Sequence, residues 1–290
     1  MATIQRTKRV SIDDMMKKKE AKIPISRTVC YDAVMAQIAE EAGIDVILCG
    51  DSLANVQFGY NSTLPCQYEV LLEHTKAVRR GAPNTFLIAD MPYMTYQASI
   101  EEAVRKAGRY MAEADADCVK LEGGLEVLPV VKAIIDAGIP VWGHTGLTPQ
   151  TVKMLGGYKS QGRSAEVAYK LVKTVEGLAN AGCFAITAEA IPVELGKVLY
   201  EMADDYLIFS VGCGHYTDGP VVNMYDMLGF YDKVPRFVKK YADAHGYLVD
   251  AVKTYVKEVE DRTFPGPEHC YYMKENEPAH LMEMLARDEK

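Results

Sequence analysis

Acidic, basic and imidazole side chains recur where short apolar runs end in this chain of 290 residues. Asp51 and Ser52 follow one run, and Asp90 closes the next. Lys120 and Glu122 close a third, His144 a fourth and Glu189 a fifth, while Cys213 and His215 follow a sixth. A strand end that needs only a turn would favour Asn, Gly or Ser. Taken singly, each residue has an ordinary explanation. Asp51 or Asp90 could cap a helix, His144 could be a core histidine, Glu189 a turn acid and Lys120 a solvated lysine. Taken together, four carboxylates, a lysine and a histidine at successive strand ends describe one converging acidic pocket.

Asp51, Asp90 and Glu122 offer oxygen ligands with no cysteine and a single nearby histidine. That is a donor set for a hard cation, Mg²⁺ by preference, completed by water and substrate; a zinc site would draw on more His or Cys. Such a cation can polarise a 2-oxo acid and stabilise its enolate. A carboxylate outside the metal set, such as Glu189, could then abstract the proton beside the carbonyl. Lys120 suits a counter-charge for a substrate oxyanion or hydroxyl. The glycine-rich segment 156–163, GGYKSQGR, lacks the arrangement of a phosphate-binding loop and reads as a lid or a solvent loop.

These residues need a scaffold that brings strand ends together. Apolar, β-branched runs at 25–30, 45–49, 85–90, 117–121, 140–144, 184–188 and 207–211 alternate with stretches of helical period, among them 33–42, 100–114 and 165–180. The first and third of those helices stop near a glycine, which accepts a left-handed cap; the second runs into Asp115 with none. With an eighth strand at 221–225, the alternation predicts parallel strands in a (β/α)8 TIM barrel, an α/β fold whose chemistry sits at the strand C-termini. A doubly wound sheet is the rival, but no GxGxxG follows the first strand. One domain over 1–290 is expected, with a core of about 25–269. A capped helix at 11–19 precedes it, and a tail at 270–290 carries Leu281, Met284 and Leu285 on one helical face.

Composition narrows the class further. With 49% hydrophobic and 25% charged residues the chain is of ordinary globular type, which excludes disordered and fibrous classes. A net charge of −8 argues against binding to nucleic acid or an anionic membrane, because phosphates reward a basic face. Seven singly scattered cysteines without a CxxC suit a reducing compartment. With no signal-peptide stretch or membrane span evident, a soluble cytoplasmic protein is expected.

Eight collinear segments carry a resemblance: GDSL (50–53), STLP (62–65), AVRRGAP (77–83), ADMP (89–92), VKLEGG (119–124), GHTGLTPQ (143–150), GGYKSQGR (156–163) and IPVEL (191–195). From about Thr28 to the segment at 264–269 the chain resembles the ketopantoate hydroxymethyltransferases, barrel enzymes of the phosphoenolpyruvate mutase and isocitrate lyase superfamily. The resemblance implies transfer of a hydroxymethyl group from 5,10-methylenetetrahydrofolate to 3-methyl-2-oxobutanoate in pantothenate synthesis. It implies Mg²⁺ on Asp51 and Asp90, with Glu122 reaching the metal through water. Ser52 and Lys120 match positions that hold the 2-oxo acid. Glu189 matches the general base, and His144 matches an active-site histidine of open role. It also implies a large homo-oligomer, often a decamer.

The chain departs from the family pattern at several points. Val29-Cys30-Tyr31-Asp32 stands where T-A-Y-D is common, and Ala54-Asn55 where Gly-Met is common. Cys213 alters the glycine turn after the seventh strand, and Tyr225 replaces the usual His or Gln. These changes motivate an alternative, a divergent Mg²⁺-dependent aldolase or lyase acting on another 2-oxo acid or aldehyde. A barrel retained only for assembly is disfavoured, since a relic has no physical reason to keep clustered like charges.

Overall fold

A computed structural model describes residues 7–288. Eight strands close in sequence order into a parallel barrel. They are β1 (Arg27–Val29), β2 (Val46–Cys49), β3 (Phe86–Asp90), β4 (Cys118–Glu122), β5 (Val141–Gly146), β6 (Ala185–Glu189), β7 (Leu207–Val211) and β8 (Gly219–Asn223). Pairing of β8 with β1 completes the ring, so this is the (β/α)8 barrel and not the doubly wound sheet. Parallel strands are covered on both faces, which is why β1 to β5 are buried at every position and lie within short, largely apolar runs of the sequence. The eighth strand differs from its expected span of 221–225. It starts at Gly219 and stops at Asn223, whose side chain accepts the Tyr225 N–H and opens a short helix there.

Around the barrel run α1 (Ile12–Glu20), α2 (Ala33–Glu41), α3 (Leu53–Val56), α4 (Tyr68–Gly81), α5 (Ile100–Ala114), α6 (Leu128–Asp136), α7 (Ala165–Asn180), α8 (Val193–Met202) and α9 (Met224–Met227). Ser11 and Asp14 form a reciprocal capping box at the start of α1. Asp32, Ser99 and Ser164 cap α2, α5 and α7 through their side chains. Helix α5, which has no terminal glycine, ends instead on Asp115 in the left-handed conformation at φ 50°. Asp is among the few residues that visit that region routinely. Among the described residues no helix is long and apolar enough to cross a membrane.

The chain divides into two compact units, one ending at Ala242 and one beginning at Asp243. The second holds α10 (Ala244–Glu260), capped by Asp243, and α11 (Glu277–Asp288). None of its described residues is buried. Leu248, Val252, Val256 and Val259 make an exposed apolar stripe along α10, and Leu281, Met284 and Leu285 are exposed on α11.

Barrel closure depends on close approach at the β8–β1 seam. The Ile25 N–H donates to the Asp218 carbonyl at 2.7 Å, and a Cβ on Gly219 would overlap the Ile25 carbonyl oxygen. Gly219→Ala should therefore destabilise the barrel by about 2 kcal/mol or more in urea unfolding, the usual scale of overpacking. An unchanged midpoint would show that the seam can relax.

Candidate active site

All seven side chains singled out in the sequence, Asp51, Ser52, Asp90, Lys120, Glu122, His144 and Glu189, line one cavity of about 190 Å³ at the C-terminal ends of the strands. The pairing registers explain the convergence. Asp90 on β3 is level with Lys120 on β4, Glu122 on β4 with His144 on β5, and Gly146 on β5 with Glu189 on β6. His215 is exposed and lies outside this lining.

The helix-cap explanation fails for both aspartates. Ser52 holds the cap position of α3 and makes no side-chain cap bond. Asp51 instead accepts from Gln150 Nε2 at 2.9 Å. Asp90 accepts from Lys120 Nζ at 2.9 Å on each carboxylate oxygen and from the Asp51 N–H at 3.0 Å. Burial, reinforced by the Asp90 charge, pushes the Asp51 carboxyl well above the ordinary carboxylate range. Burial alone would favour neutral Lys120, but the charges of Asp90, Asp51 and Glu122 outweigh it and raise the pKa of the ammonium.

On the opposite wall His144 bridges two acids. Its Nδ1 lies 3.3 Å from Glu122 Oε2 and its Nε2 lies 3.1 Å from Glu189 Oε2. Neither ring nitrogen has hydrogen-bond alignment, so these are short-range charge contacts, and Glu122 Oε2 is likewise buried without a hydrogen-bond partner. Burial works to lower the imidazole pKa, yet the two flanking carboxylates prevail and raise it above its ordinary value. Glu122 is anchored by its other oxygen, which accepts the Gln150 N–H at 2.6 Å.

Glu189 is held by its backbone. The Leu147 N–H donates to the Glu189 carbonyl at 2.9 Å, and a Cβ on Gly146 would overlap that same oxygen. The next residue, Ala190, is in the left-handed region at φ 50°, a conformation that costs a non-glycine residue about 1 kcal/mol or more. Its carbonyl accepts the Gln161 N–H at 2.9 Å, which tethers the glycine-rich segment 156–163 beside Glu189.

Other residues at this site were not singled out from the sequence. Gln150 binds Asp51 and Glu122 as described and accepts from Tyr96 and Gln97; only its place in the GHTGLTPQ segment hinted at it. Arg27 also lines the cavity, with its guanidinium 4.4 Å from the Trp142 ring centre and one nitrogen on Thr187 Oγ1 at 2.7 Å. Burial lowers its pKa to about 10. A charged residue inside an apolar strand run was the available signal.

The donor set suits a hard cation. Among the described residues no three His, Cys, Asp or Glu side chains form a preassembled metal cage, but Mg²⁺ commonly takes one or two carboxylates and keeps its waters. Asp51 and Asp90 are buried like charges, and Glu122 Oε2 has no hydrogen-bond partner among the described residues; a cation would relieve both conditions.

Comparison with known proteins gives concordant results. A family model described as ketopantoate hydroxymethyltransferase matches residues 9–267. The 3-methyl-2-oxobutanoate hydroxymethyltransferase of Geobacillus kaustophilus (strain HTA426) is 46% identical over 267 residues, covering 91% of this chain and 95% of that one. The protein of the same name from Syntrophobacter fumaroxidans (strain DSM 10017 / MPOB) is 45% identical over 274 residues, covering 94% and 96%. Among solved structures, phosphoenolpyruvate phosphomutase from Streptomyces platensis subsp. rosaceus shares the fold, with TM-score 0.59, 14% identity and coverage of 96% and 98%. So does a phosphonopyruvate hydrolase complexed with oxalate and Mg²⁺, with TM-score 0.59, 12% identity and coverage of 96% and 97%.

Among the described residues, Lys120 is the only one bonded to both oxygens of buried Asp90. Lys120→Met should cost about 3–5 kcal/mol in urea unfolding, the penalty for leaving a buried charge unpaired. A loss below about 1 kcal/mol would mean that water or another cation replaces the ammonium.

Proposed function

The chain belongs to the ketopantoate hydroxymethyltransferase family, and we propose that the seven residues converging in its barrel mouth carry that family's reaction. The protein is a hydroxymethyltransferase that moves a one-carbon unit from 5,10-methylenetetrahydrofolate to 3-methyl-2-oxobutanoate in pantothenate synthesis. The family match favours this activity over a divergent aldolase or lyase. The observation that best supports the residue roles is the Glu189–His144 contact facing the Asp51–Asp90–Lys120 cluster across one cavity.

Asp51 and Asp90 would hold Mg²⁺, with Glu122 reaching it through water. When bound, the cation supplies the Lewis acidity that polarises the carbonyl of the 2-oxo acid. Ser52 and Lys120 bind the substrate's oxygens, and the protonated Lys120 offers positive charge where negative charge develops. Glu189 Oε2 faces His144, which leaves Oε1 to take the proton from C3 of the substrate. The C–H electron pair becomes the C2–C3 double bond of an enolate, with the charge on the C2 oxygen. C3 then attacks the methylene carbon carried by the folate as its bond to one folate nitrogen breaks. The hydroxyl of a water replaces the bond to the other nitrogen, giving 2-dehydropantoate. The proton held by Glu189 and the remaining water proton go to the two nitrogens of the departing tetrahydrofolate. His144 is a positioning residue, aligning the base between itself and the cavity while its other nitrogen faces Glu122.

The chain also reads as a homo-oligomer, of the decameric size common in the family. Its second unit supports this, because the α10 stripe of Leu248, Val252, Val256 and Val259 is exposed. All seven cysteines are free thiols, which suits a reducing cytoplasm.

Deuterium uptake at C3 of 3-methyl-2-oxobutanoate, followed by NMR without any folate, tests the chemistry. Exchange should proceed with Mg²⁺ and stop with EDTA. Glu189→Gln should slow it about 100-fold or more, the scale of a lost general base, while the 2-oxo acid still binds. Persistent exchange in that variant would remove Glu189 from the role of base. Light scattering should give a multiple of 32.1 kDa at micromolar concentration; a monomer mass would refute the assembly.

A further inference from the structure

Beside the acidic cluster runs a chain of neutral hydrogen bonds that the reaction as described does not use. It starts at Asn223, the last residue of β8, passes through Tyr31, just after β1, and ends on the Ser52 hydroxyl at the mouth of β2. The Asn223 amide lies 2.6 Å from the Tyr31 hydroxyl, which lies 2.8 Å from Ser52 Oγ. Both Asn223 and Ser52 line the cavity.

The direction of each bond follows from which groups can only donate. The backbone N–H of Tyr225 meets the Asn223 side chain at 3.0 Å. An N–H cannot accept, so Asn223 must turn its oxygen to Tyr225 and its NH₂ to Tyr31. The Tyr31 oxygen therefore accepts from Asn223. Tyr31 is fully buried, and burial pushes its pKa well above the ordinary phenol value, so it keeps its proton. The only other partner of that hydroxyl among the described residues is Ser52 Oγ. Were Ser52 to donate instead, a buried phenol proton would be left without an acceptor. Tyr31 thus donates to Ser52, and the proton of Ser52 remains unspent.

We propose that Asn223 and Tyr31 are positioning residues that set hydrogen-bond polarity in the substrate site, so that the Ser52 proton is kept free and is donated to an oxygen of the 2-oxo acid. The inference rests on the reading that Ser52 meets that substrate. It adds a specificity element: the free Ser52 proton favours a lone pair opposite it, as on a carboxylate or ketone oxygen. Tyr225, the departure from the family pattern next to Asn223, takes part through its main chain, and its own hydroxyl is engaged at 2.5 Å by Asp32.

Asn223→Asp is nearly isosteric and reverses the polarity. A carboxylate accepts from both Tyr225 and Tyr31, so Tyr31 turns its proton away and Ser52 must donate to Tyr31. Tyr31→Phe removes the link without adding charge. The readout is the KM for 3-methyl-2-oxobutanoate in the Mg²⁺-dependent C3-exchange assay, with thermal unfolding confirming a folded barrel. Ser52→Ala and Asn223→Asp should each raise KM about tenfold, and Tyr31→Phe about threefold, with kcat within about twofold of the parent. In the Ser52→Ala background the other two changes should move KM by less than about twofold, because there is no Ser52 proton left to direct. If Ser52→Ala raises KM and neither of the others does, the relay is refuted while the Ser52 contact stands. If Ser52→Ala has no effect, the contact itself fails and the inference with it. An Asn223→Asp effect that persists undiminished without the Ser52 hydroxyl would be charge repulsion and would also refute the relay.

Discussion

The ion pair between Lys120 and Asp90, desolvated at the centre of the barrel mouth, is the interaction on which the rest of the site depends. A carboxylate taken out of water is costly unless a cation and hydrogen-bond donors accompany it. Asp90 has all of these: Lys120 on both oxygens and the Asp51 N–H on one. Asp51 can in turn be buried beside it because Gln150 donates to its other side and Lys120 lies near. The electrostatic result is a set of oxygen ligands too negative for the cations the protein itself supplies. In the proposed reading, a divalent cation bound together with an anionic 2-oxo acid would restore the balance. On that reading, the imbalance that makes the site costly would also make it selective for that pair.

A closed parallel barrel meets this demand well. Register between neighbouring strands places Asp90 beside Lys120 and Glu122 beside His144, so four of the charged groups are fixed by backbone hydrogen bonds on β3, β4 and β5. Glu189 stands apart at the end of β6, where the close approach of Gly146 and the left-handed Ala190 aim it. If Glu189 is the base, as proposed, the strained Ala190 beside it fits that task. Ligands need to stay put, whereas a base must present one oxygen to a substrate carbon at a set angle.

Much of this was legible in the sequence, for a physical reason. In a parallel barrel each strand is a nearly continuous apolar run, so a charge at its end stands out, and the fold dictates that all such ends meet. Asp51, Asp90, Lys120, Glu122, His144 and Glu189 were found that way, and the structure brings them together with Ser52. The residues that were not legible act through partners far along the chain. Asn223 touches Tyr31 across 192 positions and Gln150 touches Asp51 across 99, contacts that exist only after the ring has closed. The extent of the eighth strand was missed for a similar reason, because an asparagine that ends a strand by capping a helix resembles any polar residue in a turn.

The departures from the family pattern take on a definite meaning in three dimensions. None of Ala54, Asn55, Cys213 and Tyr225 lines the cavity. Ala54 is buried in α3, and Asn55 ties the loop after it by donating to the Tyr60 carbonyl at 2.8 Å. The Cys213 N–H donates to Ser210 Oγ at 2.9 Å, and its thiol lies against the Ala188 carbonyl, behind the strand that carries Glu189. Tyr225 donates to Asp32, the residue that caps α2, and accepts from Gln57 at 2.7 Å. These side chains form the layer that supports the loops after β1, β2, β7 and β8, while the charged groups of the cavity are kept. Substitution there leaves the charged groups in place and changes how the neutral wall of the cavity is braced, the wall that carries Ser52.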